Sequence, residues 1–121
     1  MKRILIVDDE EDLVQHLMGI VQRQGWEAGA ADDGVAAVLK VMDGGWDAVL
    51  MDIRMPNLDG FGALKLIRRY NAQLPVVVFT GQAGQGDMMN ARRLGAYACL
   101  LKPAEGEQIV QALTAAMAQP V

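Results

Sequence analysis

The sequence predicts an α/β fold built on a five-stranded parallel sheet, and three observations point to it. Short apolar segments of strand length alternate along the chain with segments that have helical periodicity. Most of the short segments are unbroken apolar runs, which suit strands buried on both faces of a parallel sheet. The chain of 121 residues has the size of one domain.

Five segments are predicted to form strands. Four of them are apolar runs that are too short for a helix, and most are rich in Val, Ile or Leu. The second is weaker, because small residues blur its pattern. In chain order the five are Ile4–Val7, Trp26–Ala31, Ala48–Met51, Val76–Phe79 and Tyr97–Leu101.

Helices are predicted after each strand, where apolar residues recur three and four positions apart and so form one face. The third helix is expected at residues 59–70 and the fourth at residues 86–94. The inward faces of the others are Leu13, Leu17, Ile20 and Val21 in the first; Val35, Val38, Leu39 and Met42 in the second; and Ile109, Ala112, Leu113 and Ala116 in the fifth.

This alternation implies parallel βαβ units with right-handed crossovers, so helices should cover both faces of the sheet. The common strand order of such a doubly wound, flavodoxin-like sheet is 2-1-3-4-5, with a ligand crevice where the order reverses. We expect residues 1–121 to form a single domain, with no output domain in this chain.

Composition and charge exclude several functions. With 11 basic and 15 acidic residues, a net charge of −4 and no basic cluster, the chain is a poor candidate for direct nucleic-acid binding. Its longest apolar run has six residues, too few for a membrane span or a signal peptide, so we expect a cytoplasmic protein without membrane contact. A single cysteine excludes an internal disulfide framework and a cysteine-based zinc site.

Polar residues follow four of the five predicted strands, at the point where each strand ends. Because the carboxyl ends of parallel strands meet at one edge of the sheet, we expect these side chains to converge on one crevice. In chain order they are Asp8 and Asp9, Asp52, Thr80 with Gly81, and Lys102.

Such a crevice has the chemistry of a phosphoryl-transfer site. Three carboxylates repel one another, and Mg²⁺ relieves this because it accepts carboxylate ligands, keeps waters and bridges to phosphate. Lys102 supplies a positive charge for phosphate oxygens, Thr80 supplies a hydroxyl, and Gly81 leaves room for backbone N–H groups. In such a site an aspartate can act as the nucleophile.

Three alternative functions compete with phosphoryl acceptance, and each residue alone also has an ordinary structural role, such as an acid that favours the start of a helix. A flavin site on this topology needs a small-residue phosphate loop after the first strand, where this chain is acidic. An aspartate-dependent phosphatase of the haloacid dehalogenase type needs a second aspartate where this chain has Arg54. An interaction domain that works without phosphorylation is the third alternative.

The chain resembles the receiver domain of bacterial two-component response regulators, including the chemotaxis receivers, over essentially its whole length. The matching segments are Ile4–Glu10, Met51–Pro56 with Asp59–Gly60, Phe79–Gly81, and Gly95–Ala96 leading to Lys102–Pro103. The resemblance implies a phosphorelay module that accepts a phosphoryl group from a histidine kinase or a histidine phosphotransfer protein and then changes its partner binding. Such a module is a switch rather than a turnover enzyme, and it is a monomer or a weak homodimer. Its downstream effector is not readable from the sequence.

The resemblance also implies a role for each site residue. Asp52 would be the phosphoacceptor, and Lys102, Thr80 and Gly81 would contact the phosphoryl group. Mg²⁺ would be held by Asp9 directly, by Asp8 through a water, by Asp52, and by the backbone carbonyl of Arg54. The Lys102–Pro103 peptide bond is cis in similar domains, which proline permits at low energetic cost. Asn57 stands where glycine is common, and asparagine tolerates the left-handed conformation.

One position departs from the family pattern. Receivers usually have Tyr or Phe three residues before the lysine, and that aromatic side chain turns inward as the threonine engages the phosphate. Here the position is Cys99. By strand alternation Tyr97 is expected on the same face and could partly substitute. We therefore expect signalling to proceed mainly through movement of residues 80–87.

Overall fold

The computed structural model describes residues 1–55, 57–81 and 85–118, without the side chain of residue 85. Every predicted strand is present, with bounds within one residue of those expected. The elements are β1 (Arg3–Val7), α1 (Glu11–Arg23), β2 (Glu27–Ala31), α2 (Gly34–Asp43), β3 (Ala48–Met51), α3 (Gly60–Tyr70), β4 (Val76–Thr80), α4 (Gln85–Arg93), β5 (Ala98–Leu101) and α5 (Gly106–Met117). In the described ranges, no helix has the length and apolar character needed to cross a membrane.

The strands form one parallel sheet in the predicted order β2-β1-β3-β4-β5. Val7, the last residue of β1, pairs with Met51, the last residue of β3. The residues that follow, Asp8 and Asp52, therefore leave the sheet at the same level. The direction in which successive strands are added reverses between β1 and β3, which opens a crevice at this edge.

Each face of the sheet is covered by helices and has its own apolar core. In β1, Leu5 and Val7 point into the core under α2, α3 and α4, while Ile4 and Ile6 point into the core under α1 and α5. Burial on both sides explains why β1, β3 and β4 are unbroken apolar runs. The inward faces predicted for α1 and α5 are confirmed.

The inward face predicted for α2 is wrong. Gly34, Ala37 and Val41 are buried, and Val38 is partly buried. The other three residues of the predicted face are exposed: Val35, Leu39 and Met42. The physical reason is close packing: a Cβ atom at Gly34 would collide with the backbone carbonyl of Leu58, so only the side of α2 that carries this glycine fits there.

This close approach makes a stability prediction. Gly34→Ala should lower the free energy of unfolding by about 1–3 kcal/mol, because the new methyl group overpacks against the Leu58 backbone. Gly19, inside α1, is a matched control whose added Cβ would meet only the Arg23 guanidinium, at 3.7 Å. Gly19→Ala should instead stabilise by about 0.5–1 kcal/mol, since glycine weakens helix interiors. Urea unfolding of both variants tests this prediction. Changes of the same sign in their free energies of unfolding would contradict the packing argument.

Candidate functional site

Three carboxylates meet at the carboxyl edge of β1 and β3. The N–H of Asp52 donates to the carbonyl of Val7 at 2.9 Å, which continues the strand pairing and places Asp52 beside Asp8. One carboxylate oxygen each of Asp8, Asp9 and Asp52 lies within 4.8 Å of the other two. Asp8 and Asp52 are 1% and 5% exposed, whereas Asp9 is open to solvent. The cluster thus has a buried floor and one open side, and its all-oxygen donor set suits a hard divalent cation.

Lys102 reaches this cluster from the edge strand β5. From the end of β5, its ammonium donates to Asp8 at 2.8 Å and to Asp52 at 3.3 Å. It passes over the Phe79 ring of β4, with Nζ 4.7 Å from the ring centroid. Burial acts to lower the pKa of Lys102, but the hydrogen bond to Asp8 and the charges of both carboxylates outweigh it and raise that pKa. Lys102 is therefore a fixed cation at neutral pH.

Backbone groups hold the two buried carboxylates in place. Glu10 donates its N–H to Asp8 Oδ1 at 2.9 Å, and Arg54 donates its N–H to Asp52 Oδ1 at 3.1 Å. The Oδ2 atom of each carboxylate is the one that accepts from Lys102. Both acids are thus oriented by the protein itself, with one oxygen toward the backbone and the other toward the lysine.

Thr80 and Gly81 border the same edge. Thr80 is buried at the end of β4 and pairs with Leu101, and its carbonyl accepts from the N–H of Lys102 at 2.9 Å. Gly81 is exposed. A Cβ atom added at Gly81 would lie 3.8 Å from the Lys102 side chain, in ordinary contact with it. The Lys102–Pro103 peptide bond that follows β5 is cis.

The loop after Asp52 is tied to two helices. The Arg54 guanidinium pairs with Asp87, in the first turn of α4, at 2.5 Å. Asn57 adopts the predicted left-handed conformation, with φ of 65°, and donates to Asp33 at 2.7 Å. The Ala36 N–H and the Asn57 amide lower the pKa of Asp33. The contact between Arg54 and Asp87 was not predicted from the sequence. The one hint in the sequence is that Asp87 is an acidic residue in the first turn of a helix.

The structure separates the two residues considered for the aromatic switch. Cys99 packs with the core under α2, α3 and α4, and its thiol donates to the Met88 carbonyl at 3.6 Å. Burial raises the pKa of Cys99, and the charge of Arg92 opposes this in part. Tyr97 packs with the other core, and its N–H donates to Val76, at the opposite end of β4 from Thr80. The expectation of a shared face is wrong because Tyr97 precedes the strand, so alternation does not apply to it.

Comparison with known proteins agrees with this geometry. A family model described as the response regulator receiver domain matches residues 4–114. The chemotaxis protein CheY of Bacillus subtilis is 34% identical over 112 residues, which cover 92% of this chain and 93% of that protein. The solution structure of the beryllofluoride-activated NtrC4 receiver domain dimer matches with a TM-score of 0.91 and 29% identity, over 97% of both chains.

One longer relative matches this chain over only part of its own length. The regulatory protein AtoC of Escherichia coli is 38% identical over 109 residues, which are 90% of this chain and 24% of AtoC. The chain thus spans about a quarter of AtoC and nearly all of CheY. From the family match and these relatives, we conclude that the chain belongs to the response regulator receiver domains of two-component signalling systems.

Proposed function

We propose that the chain is the phosphoacceptor of a phosphorelay and that Asp52 takes the phosphoryl group. The observation that carries this proposal is the Asp52 carboxylate itself, which is buried, held by a backbone N–H and paired with a lysine next to two further acids. The donor is a phosphohistidine on a histidine kinase or a histidine phosphotransfer protein. The chain acts as a switch, because the reaction modifies the chain itself and the phosphorylated form binds partners differently.

The transfer itself is a substitution at phosphorus. A carboxylate oxygen of Asp52 attacks the phosphorus, the new P–O bond forms, and the P–N bond to the partner's imidazole breaks. The electron pair of that bond stays on the imidazole nitrogen, which is then protonated from solvent. Lys102 compensates the negative charge of the phosphoryl group, since its ammonium already lies beside Asp52.

The acidic cluster fits Mg²⁺. Asp8, Asp9 and Asp52 together carry more negative charge than Lys102 compensates, and all their donor atoms are oxygens. We propose that Asp9 binds the metal directly, Asp8 through a water, and Asp52 and the Arg54 carbonyl complete the site. When bound, Mg²⁺ would neutralise the charge between the carboxylates and an approaching phosphoryl anion.

We further propose that the phosphorylated state is read out at α4. The Thr80 hydroxyl and the Gly81 N–H would turn to the phosphoryl group, and the chain after them leads into α4. Residues 82–84, which belong to the segment expected to move, lie outside the described residues. After this segment, Arg54–Asp87 and Cys99–Met88 connect the start of α4 to the loop after Asp52 and to β5. These contacts would couple phosphorylation to α4 without an aromatic residue at position 99.

The phosphoacceptor can be identified by mass. Incubation of the chain with Mg²⁺ and a small phosphodonor, or with a phosphorylated histidine kinase, should add one phosphoryl group. Asp52→Asn should abolish the adduct, because an amide is a poor nucleophile. Asp43→Asn, at an exposed acid in α2, is the matched control and should behave as wild type. An adduct that persists in Asp52→Asn would refute this assignment. Failure of both donors would favour an interaction domain that works without phosphorylation.

The metal site can be tested through stability. A Mg²⁺ titration should raise the melting temperature of the wild-type chain, because binding stabilises only the folded state. Asp9→Asn should weaken the apparent affinity by about tenfold, since it removes one carboxylate ligand. Glu11→Gln removes an equal charge two residues away, in α1, and serves as the control. A melting temperature that does not respond to Mg²⁺ would contradict the proposed site.

The role of α4 can be tested through Cys99, the one cysteine of the chain. Its alkylation by iodoacetamide should be slow at neutral pH, because burial raises the pKa of the thiol and leaves little thiolate. The rate should keep rising above pH ~8.5, the ordinary pKa of a thiol. Beryllofluoride with Mg²⁺, used in place of the phosphoryl group, should accelerate alkylation several-fold if the start of α4 moves away from Cys99. Asp52→Asn should show no acceleration, and an unchanged rate in the wild type would sink the proposed readout.

A further inference from the structure

We propose that the groove between α2 and α3 binds an acidic amphipathic helix of a partner protein. We define the α2–α3 groove by the side chains of Val35, Leu39 and Met42 from α2 and of Leu66 and Tyr70 from α3. These are 47%, 59%, 50%, 45% and 53% exposed, respectively. The groove lies outside the phosphoryl-transfer site, and its proposed role does not depend on phosphorylation.

The groove side chains lie on neighbouring faces of two packed helices. Val35, Leu39 and Met42 follow the i, i+4, i+7 spacing of a single stripe on α2, and Leu66 and Tyr70 share one face of α3. The two helices pack side by side, and the Tyr70 hydroxyl donates to the Met42 carbonyl at 3.0 Å. An apolar stripe between two helices is the kind of surface that a third helix covers.

Packing against Leu58 explains why Gly34 is buried, but it does not require apolar residues at the exposed positions of α2. On α2, Gly34, Ala37 and Val41 are buried, while Val35, Leu39 and Met42 face solvent. In the described part of the chain eight large apolar side chains are exposed, and five of them are in this groove. Exposed apolar residues that are scattered singly need no explanation, but a contiguous group indicates an interaction site.

The charges beside the groove select the partner. Two exposed cations, Lys65 and Arg69, lie on α3 next to Leu66 and Tyr70, whereas Lys40 and Asp43 of α2 line a separate cavity with Trp46. Arg68 is engaged elsewhere, since its guanidinium donates to the carbonyls of Ala72 and Leu74. The α3 side of the groove is therefore positive on a chain whose net charge is −4.

This positive charge favours an acidic partner over a second copy of the chain. A twofold-symmetric dimer through the groove would place two copies of the same positively charged surface against each other, and like charges would oppose association. A helix with acidic residues on both sides of an apolar stripe would bury the five groove side chains and pair its carboxylates with the cations.

A designed peptide tests the groove without knowledge of the natural partner. The probe is a fluorescein-labelled helix of about 14 residues, comparable in length to α3 with its flanking turns. It has leucines at helical i, i+3, i+4, i+7 spacing and glutamates beside them, and a second peptide has lysine at every glutamate position. Fluorescence anisotropy with the full chain should show saturable binding of the glutamate peptide and much weaker binding of the lysine peptide.

Substitutions then locate the binding surface. Leu39→Ser should weaken binding of the glutamate peptide by about tenfold, because it removes one buried leucine contact. Met89→Ser, at a side chain of α4 that is 60% exposed, is the matched control and should leave binding unchanged. The double variant Lys65→Glu, Arg69→Glu should reverse the preference between the two peptides. All these variants should accept a phosphoryl group as wild type does, so failure here is distinguishable from failure of the phosphoacceptor role.

Four outcomes would overturn the proposal. These are the absence of saturable binding, equal binding of the two peptides, equal losses in Leu39→Ser and Met89→Ser, and peptide-induced NMR shifts that lie outside α2 and α3. A wild-type dimer in sedimentation that Leu39→Ser converts to monomer would assign the groove to a second copy instead. Leu39-dependent binding to anionic phosphatidylserine vesicles, without peptide binding, would assign it to a membrane surface.

Discussion

The ammonium of Lys102, held between Asp8 and Asp52, is the interaction on which the site depends. Two carboxylates that are almost fully buried repel each other, and such a pair is costly unless a cation and hydrogen bonds compensate it. Lys102 comes from β5, and the sheet places β3 and β4 between β5 and β1. The lysine therefore has to reach across Phe79 of β4 to make both contacts. The strand order and the length of this side chain together create the charge balance of the pocket.

The polar contacts that join α4 to its surroundings are weaker than those between Lys102 and the carboxylates. The Arg54–Asp87 ion pair involves a largely exposed guanidinium, and exposed ion pairs contribute little net stability. The Cys99 thiol is a weak donor, and its hydrogen bond to Met88 is long. The carboxylates, by contrast, are held by backbone N–H groups and a partly buried lysine. The Asp52 carboxylate is therefore held more firmly than the polar contacts hold the start of α4.

The loop after Asp52 also connects the site with α2. Asn57 binds the N-cap residue Asp33, and the Leu58 backbone packs on Gly34. The same close approach keeps the Gly34 side of α2 inward and leaves Val35, Leu39 and Met42 at the surface. The loop after Asp52 thus contacts α2 on its buried side, opposite the α2–α3 groove.

The sequence by itself determined the order of the elements and the edge at which the polar residues meet. Strands buried on both faces read as unbroken apolar runs, and parallel strands bring the residues that follow them to one edge, so Asp8, Asp9, Asp52 and Lys102 could be placed together. The tertiary structure decided which stripe of α2 is buried, which core Tyr97 joins and what Arg54 contacts. Periodicity shows that a helix has an apolar stripe, but the close approach of neighbouring backbones, as between Gly34 and Leu58, decides which side of the helix is buried.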